Sequence, residues 1–146
     1  NFLIDEHHSI VPLFEKMIQY SRQNNLLHEL ASNYINLSSA LSNTGKNELA
    51  LSYIDSAIVI LNAPKFEKEL ARAYLNKANV FIVINKIPEA EKLLVEIESL
   101  TKKTGNLEDL SSYYLMNYRI KSSQNNYKEA LESYLKYSKI KMKTIL

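Results

Sequence analysis

The chain has 146 residues, of which 46% are hydrophobic and 23% charged, with a formal net charge of +2. That balance describes one globular domain with a sizeable core; it excludes disorder and is too weakly basic to imply a nucleic-acid surface. The absence of Cys excludes a disulfide frame, a zinc–thiolate site and a thiol nucleophile, and no apolar run approaches the roughly 20 residues that cross a bilayer.

Two Gly and three Pro in the whole chain favour long helices joined by short turns. The apolar spacing predicts helices over Ser9–Gln23, Leu26–Asn43, Asn47–Leu61, Phe66–Ile84, Pro88–Thr104, Leu107–Ser123 and Tyr127–Ile145. Breaks fall at Asn25, at Asn62-Ala63-Pro64 and at Gly105-Asn106. The first helix carries Ile10, Phe14 and Met17; Asp5-Glu6 ahead of it are acids of the kind the helix dipole favours at a start. The second carries Leu30, Tyr34, Leu37 and Leu41, and the third Ala50, Ile54 and Ala57. On the fourth, Lys77 interrupts the stripe Leu70, Tyr74, Phe81, and its alkyl stem can still pack. Pro88 opens the fifth helix, where its missing N–H costs nothing. Glu89, Glu91, Glu96 and Glu98 alternate there with Lys86 and Lys92, which reads as a solvated face. Glu108-Asp109 are start acids for the sixth helix, and the tail Lys139–Leu146 of the seventh has no polar cap.

Three segments align at a spacing of 40 residues. Tyr34, Tyr74 and Tyr114 share one position and are assigned to core packing. Gly45, Asn85 and Asn125 share another, where residues tolerant of the left-handed conformation mark three helix stops. Ala50, Ala90 and Ala130 share a third, where a small side chain lets paired helices approach. The set Tyr34, Leu37, Ser38, Leu41, then Ala50, Ile54 and Ala57 resembles the tetratricopeptide repeat signature; the later segments depart from it at Lys77, Asn117, Tyr118 and Lys121. The resemblance implies an all-α, α-α superhelix of helix-turn-helix repeats, with roughly seven helices and a 40-residue period against the family's usual 34 or so. It divides a single domain, 1–146, into a second helix of a truncated repeat (1–25) and repeats at 26–65, 66–106 and 107–146. Ile10, Phe14 and Met17 fall in phase with Ala50, Ile54 and Ala57. With Asn1 in place of Met, the chain is expected to be a piece of something longer.

No catalytic set emerges. His7-His8 and His28 lack metal-site spacing, no Gly-rich phosphate loop exists, and neither catalytic residues nor metal nor cofactor are expected. The resemblance implies a protein- or peptide-binding scaffold that uses the concave groove lined by the first helix of each pair. Groove positions map onto Ser32, Ile35, Asn36 and Ser39; Arg72, Leu75, Asn76 and Asn79; and Ser112, Leu115, Met116 and Arg119. The binding candidates are Asn36, Ser39, Arg72, Asn76, Asn79, Met116 and Arg119. An Asn amide offers donor and acceptor to a peptide backbone, and Arg pairs carboxylates. The partner is a protein or peptide; no nucleic-acid contact and no membrane span are expected, and open repeat ends can support a homodimer. The alternative is a ligand-sensing or dimerising segment of a larger signal-transduction or transcription-regulatory protein. Tyr127-Lys-Glu-Ala-Leu-Glu-Ser-Tyr resembles the final repeat in such Bacteroidetes-type regulators. A third resemblance is to peptide-pheromone receptors. The compartment stays open: cytoplasmic, or periplasmic for a sensor segment.

Overall fold

A computed structural model describes the backbone of residues 2–145 and side-chain surroundings from residue 10 to 145. The side chains of Asp5, Glu6, His7 and His8 lie outside the described residues, as does Leu146. The described residues form seven α-helices and no strand: α1 (Phe2–Gln23), α2 (Leu27–Asn43), α3 (Asn47–Leu61), α4 (Glu67–Val83), α5 (Ile87–Thr104), α6 (Leu107–Ser123) and α7 (Tyr127–Ile145). The bounds of α3, α6 and α7 match the predicted ones. α4 is one residue shorter at each end: Pro64–Phe66 forms a 3-10 turn ahead of it, and Ile84 is its C-cap. α1 extends well before the predicted start at Ser9 and runs through Pro12, a residue that contributes no N–H to the helical ladder. Pro88 sits in the first turn of α5, where that loss is harmless.

The helix stops follow from residue type. Gly45, Asn85 and Asn125 have φ of 82°, 61° and 59°, the left-handed region expected of them. Each is followed by a residue whose N–H reaches back five positions: Lys46 to Leu41 O at 2.9 Å, Lys86 to Phe81 O at 2.7 Å and Asn126 to Lys121 O at 2.9 Å. This bond closes the helix end by satisfying a terminal carbonyl. A fourth turn of the same kind was not anticipated: Asn25 has φ 57°, and Leu26 N–H reaches Ser21 O at 2.9 Å. The break that the alignment placed between units therefore has the turn of a helix pair. Gly105 is also left-handed, at φ 69°, with its N–H on Thr101 O at 3.0 Å, and the Asn106 side chain then caps α6 through Asp109 N–H at 2.9 Å. Residues 25, 45, 85, 105 and 125 thus mark helix stops every 20 residues, with only the Pro64–Phe66 turn breaking the series.

Consecutive helices pack on one another, and α2, α4 and α6 also touch in sequence, forming a row. Ala50 and Ala90 are fully buried and Ala130 nearly so, as a close helix contact requires. The Ser38 hydroxyl donates to Ala50 O at 2.8 Å across the α2–α3 contact. One core cluster joins α1 to α4 around Leu37, Leu41, Ile54 and Leu61; a second joins α4 to α6 around Leu94, Ile97, Tyr113 and Ile120. Tyr74 packs against both.

The register tyrosines divide. Tyr34 is buried and its hydroxyl accepts from the Arg22 guanidinium at 2.5 Å, whereas Tyr74 and Tyr114 are half-buried and the buried tyrosine of the third segment is Tyr113. Lys77 keeps its stem in the stripe by placing its ammonium 2.7 Å from Asp55 and 5.7 Å from the Phe81 ring centroid. The solvated-face reading of α5 holds at Lys86, Glu89, Lys92 and Glu96, which are exposed, and needs correction at Glu91 and Glu98. Glu98 accepts from the Tyr113 hydroxyl and, at 2.7 Å, from Lys102. Glu91 accepts from the Gln124 amide at 2.9 Å, so two of these acids tie α5 to α6.

Candidate binding face

The row α2–α4–α6 presents the predicted binding residues. Asn36 and Ser39 are exposed on α2; on α4 Arg72 is exposed and Asn76 and Asn79 are half-buried. Ile35 and Leu75, two mapped groove positions, are buried and belong to the core. Repeat register brings Ser39, Asn76 and Asn79 into one small cleft between α2 and α4, with Ser38, Ser42, Asn43 and Val80. Its volume of about 30 Å³ is room for a side-chain tip or a backbone group and no more. Its rim of hydroxyls and amides offers both donors and acceptors.

Arg72 belongs to a second, larger cleft of about 430 Å³ near the N-terminal ends of the same three helices. His28 comes from α2, Lys68, Glu69 and Arg72 from α4, and Glu108 and Asp109 from α6, with Asn106 just ahead. His28 Nε2 lies 3.4 Å from Glu69 Oε1. Arg72 takes part in no ion pair among the described residues. Burial pushes the Asp109 carboxyl above the usual carboxylate range, Arg72 and Lys68 draw it back, and the Glu108 charge pushes it further up. The cleft is thus a mixed-charge site in which Arg72 acts on Asp109 without closing an ion pair.

Met116 is half-buried and packs against the second core cluster, so its side chain serves packing. Arg119 is exposed on α6; it and Asn36 lie outside both clefts. The structure also shows a third cleft, which sequence reasoning missed. Between α1 and α2 lies a mainly apolar groove of about 650 Å³, lined by Met17, Tyr20 and Leu26 with Lys16, Glu29 and Ser32 at its edges. Asn33 Nδ2 donates to Ser21 Oγ at 3.2 Å in its wall, both side chains being buried. His28 lines this groove as well as the mixed-charge cleft. The available signal was the turn chemistry at Asn24-Asn25, which pairs α1 with α2 and leaves Met17 and Tyr20 beside the turn.

Among the described residues no group of three His, Asp or Glu side chains is placed to hold a metal, and no helix is long and apolar enough to cross a membrane. Compared with known proteins, the chain matches no family model and no curated protein.

Proposed function

We propose that the chain is a tetratricopeptide-like helical array, its pairs stacked as a superhelix, that binds an extended peptide or protein segment along α2, α4 and α6. The observation that carries this reading is the meeting of Ser39, Asn76 and Asn79 between α2 and α4, with Arg72 open further along α4. Amides spaced along a helix row hold a peptide backbone without reading its side chains, and the guanidinium takes a carboxylate of the ligand. No catalytic step is assigned to this face.

A second reading, a ligand-sensing segment of a larger signalling protein, draws on the apolar groove between α1 and α2, whose volume falls within the range of about 300–1,000 Å³ common for small-ligand sites. One experiment separates the two. Peptides are selected on the native chain from a displayed random library, and their affinity is measured by fluorescence anisotropy. Joint replacement of Asn36, Arg72, Asn76 and Asn79 by Ala is expected to weaken binding by about tenfold or more, with the melting curve unchanged. Affinity retained by that variant and lost in Met17→Arg would move the site to the α1–α2 groove.

A further inference from the structure

α7 carries an apolar face that no other element covers among the described residues. It packs on α6 through Ala130 and Ser133, its buried residues. On a different side, Leu131 and Leu135 are each 58% exposed, Met142 63% and Ile145 81%. With Tyr127 and Ser138 they recur every three or four residues and so form one straight stripe along the helix.

The equivalent positions of α3 and α5 face the next pair: Asp55 lies 2.7 Å from Lys77 of α4, and Glu91 and Glu98 accept from Gln124 and from Tyr113 of α6, so the stripe is the side of α7 left without a following pair among the described residues. Beside these positions, Ile54, Ala57 and Leu61 in α3 and Leu94, Ile97 and Thr101 in α5 are all buried. The matching residues of α7 are Tyr134, Tyr137 and Lys141, each with a polar tip and turned roughly 60–120° from the stripe. They are also engaged with one another: Tyr134 and Tyr137 rings lie 5.9 Å apart, and Lys141 stands 6.0 Å from the Tyr137 ring. At the stripe's own positions α5 has Glu91, Val95, Glu98 and Lys102 where α7 has Leu131, Leu135, Ser138 and Met142. In α3 two of these positions are also apolar, Leu51 and Ile58, and both pack against the first core cluster, whereas in α7 the apolar residues stay uncovered.

We propose that this stripe is a homodimer seam, on which α7 of a second copy lies antiparallel across a two-fold axis near Leu135–Ser138. Charge selects this occupant and this direction. Glu129 and Glu132 lie in the N-terminal half of α7, while Lys136, Lys139, Lys141 and Lys143 fill the C-terminal half. A parallel pair would align lysines with lysines along the seam. The antiparallel pair sets Glu132 of each copy beside Lys139 and Lys143 of the other and opposes the two helix dipoles. It also matches shapes: Leu131 meets Met142 of the other copy, and Leu135 meets the small Ser138 near the axis.

Sedimentation equilibrium of the intact chain tests the association, and single cysteines in this Cys-free chain test its direction. The expected result is a dimer whose fraction rises with concentration. Leu131→Glu together with Leu135→Glu should raise the dissociation constant by about a hundredfold while leaving helicity intact, and the melting curve unchanged at dilutions where both chains are monomeric, since both side chains are exposed. Under mild oxidation Ser138→Cys should form a disulfide dimer readily and Tyr127→Cys should not, its two copies lying roughly 28 Å apart along the helix axis. A chain that stays monomeric at hundred-micromolar concentration overturns the proposal. So does a dimer unaffected by the double substitution, or one in which Tyr127→Cys cross-links as readily as Ser138→Cys.

Discussion

The α2–α3 and α6–α7 hairpins share a turn, a repeat register and a buried alanine at the helix contact, yet different chemistry joins their helices. Between α2 and α3 the side chains are apolar and fully enclosed: Leu37 and Leu41 share a cluster with Ile54, Ala57 and Leu61. At the matching places α6 has Asn117 and Lys121, and α7 has Tyr134, Tyr137 and Lys141. There the Asn117 amide donates to Ser133 Oγ at 2.6 Å, Lys121 lies 3.3 Å from Glu129, and the Tyr118 and Tyr134 rings are 5.3 Å apart. The α4–α5 hairpin is intermediate: Leu94 and Ile97 are buried, while Lys77 turns away to Asp55 of α3. The backbone arrangement is thus set by what the hairpins share, the left-handed stop and the small alanine. The side chains between them decide how much stability each hairpin adds. Burying a leucine is worth about 1.5–3 kcal/mol, whereas a polar link in partial contact with water returns about 1 kcal/mol or less.

The largest expected effect comes from substituting the matched pair. Leu37→Ala should cost about 2–5 kcal/mol in urea unfolding, because it opens a cavity at a fully enclosed site. Asn117→Ala at the equivalent place should cost about 1 kcal/mol, the net worth of its bond to Ser133. Equal losses would show that the two hairpins are stabilised alike and would remove the contrast.

A smaller effect is expected at the α5–α6 junction. Two donors, Lys102 and Tyr113, hold the Glu98 carboxyl below its usual 4.5. A carboxylate with a lowered folded-state value stabilises fully above 4.5, and that stability is lost as pH falls through the lower folded value. Tyr113→Phe should cost about 1 kcal/mol near neutral pH, discounted for the partial exposure of Glu98. It should also flatten the acid limb of stability against pH. An acid limb identical to that of the native chain would place the carboxylate's contribution elsewhere.

The smallest effect concerns what the hairpins share. Gly45→Asn should be close to neutral, because Asn fills the same left-handed position at residues 25, 85 and 125. Gly45→Ala should cost about 1 kcal/mol, although an added Cβ meets nothing within 4 Å, since the penalty lies in the backbone conformation. Indistinguishable melting temperatures for the two variants would contradict a role for left-handed tolerance at this turn.

Helices and most turns were legible because each rests on local chemistry: apolar spacing, Asn or Gly at a fixed position, Pro in a first turn. The cleft of Ser39, Asn76 and Asn79 was legible for the same reason, since register alone brings equivalent positions on α2 and α4 together. What depends on three helices at once was not. The carboxylates around Arg72 come partly from α6, and nothing in the spacing of α4 announces them. The α1–α2 groove was missed because α1 was matched by phase to Ala50, Ile54 and Ala57, while the turn at Asn25 ties it to α2. The Glu98–Tyr113 link was hidden twice, by a charge alternation that suits a solvated face and by a tyrosine one residue before the repeat position.

The stops at residues 25, 45, 85, 105 and 125 have a consequence for how the chain reaches this structure. Every helix meets its successor across a turn of a few residues, so little loop entropy is spent before contacts form. Chains whose contacts are local in sequence fold fast, on microsecond to millisecond timescales, and can start from whichever hairpin is ready. Here the α2–α3 hairpin, with its enclosed apolar interface, is the natural starting point, and α6–α7 joins late. Run backwards, the same order makes the α6–α7 end the first to open, so its amides should exchange with solvent by partial unfolding while those of α2 and α3 wait for the whole molecule.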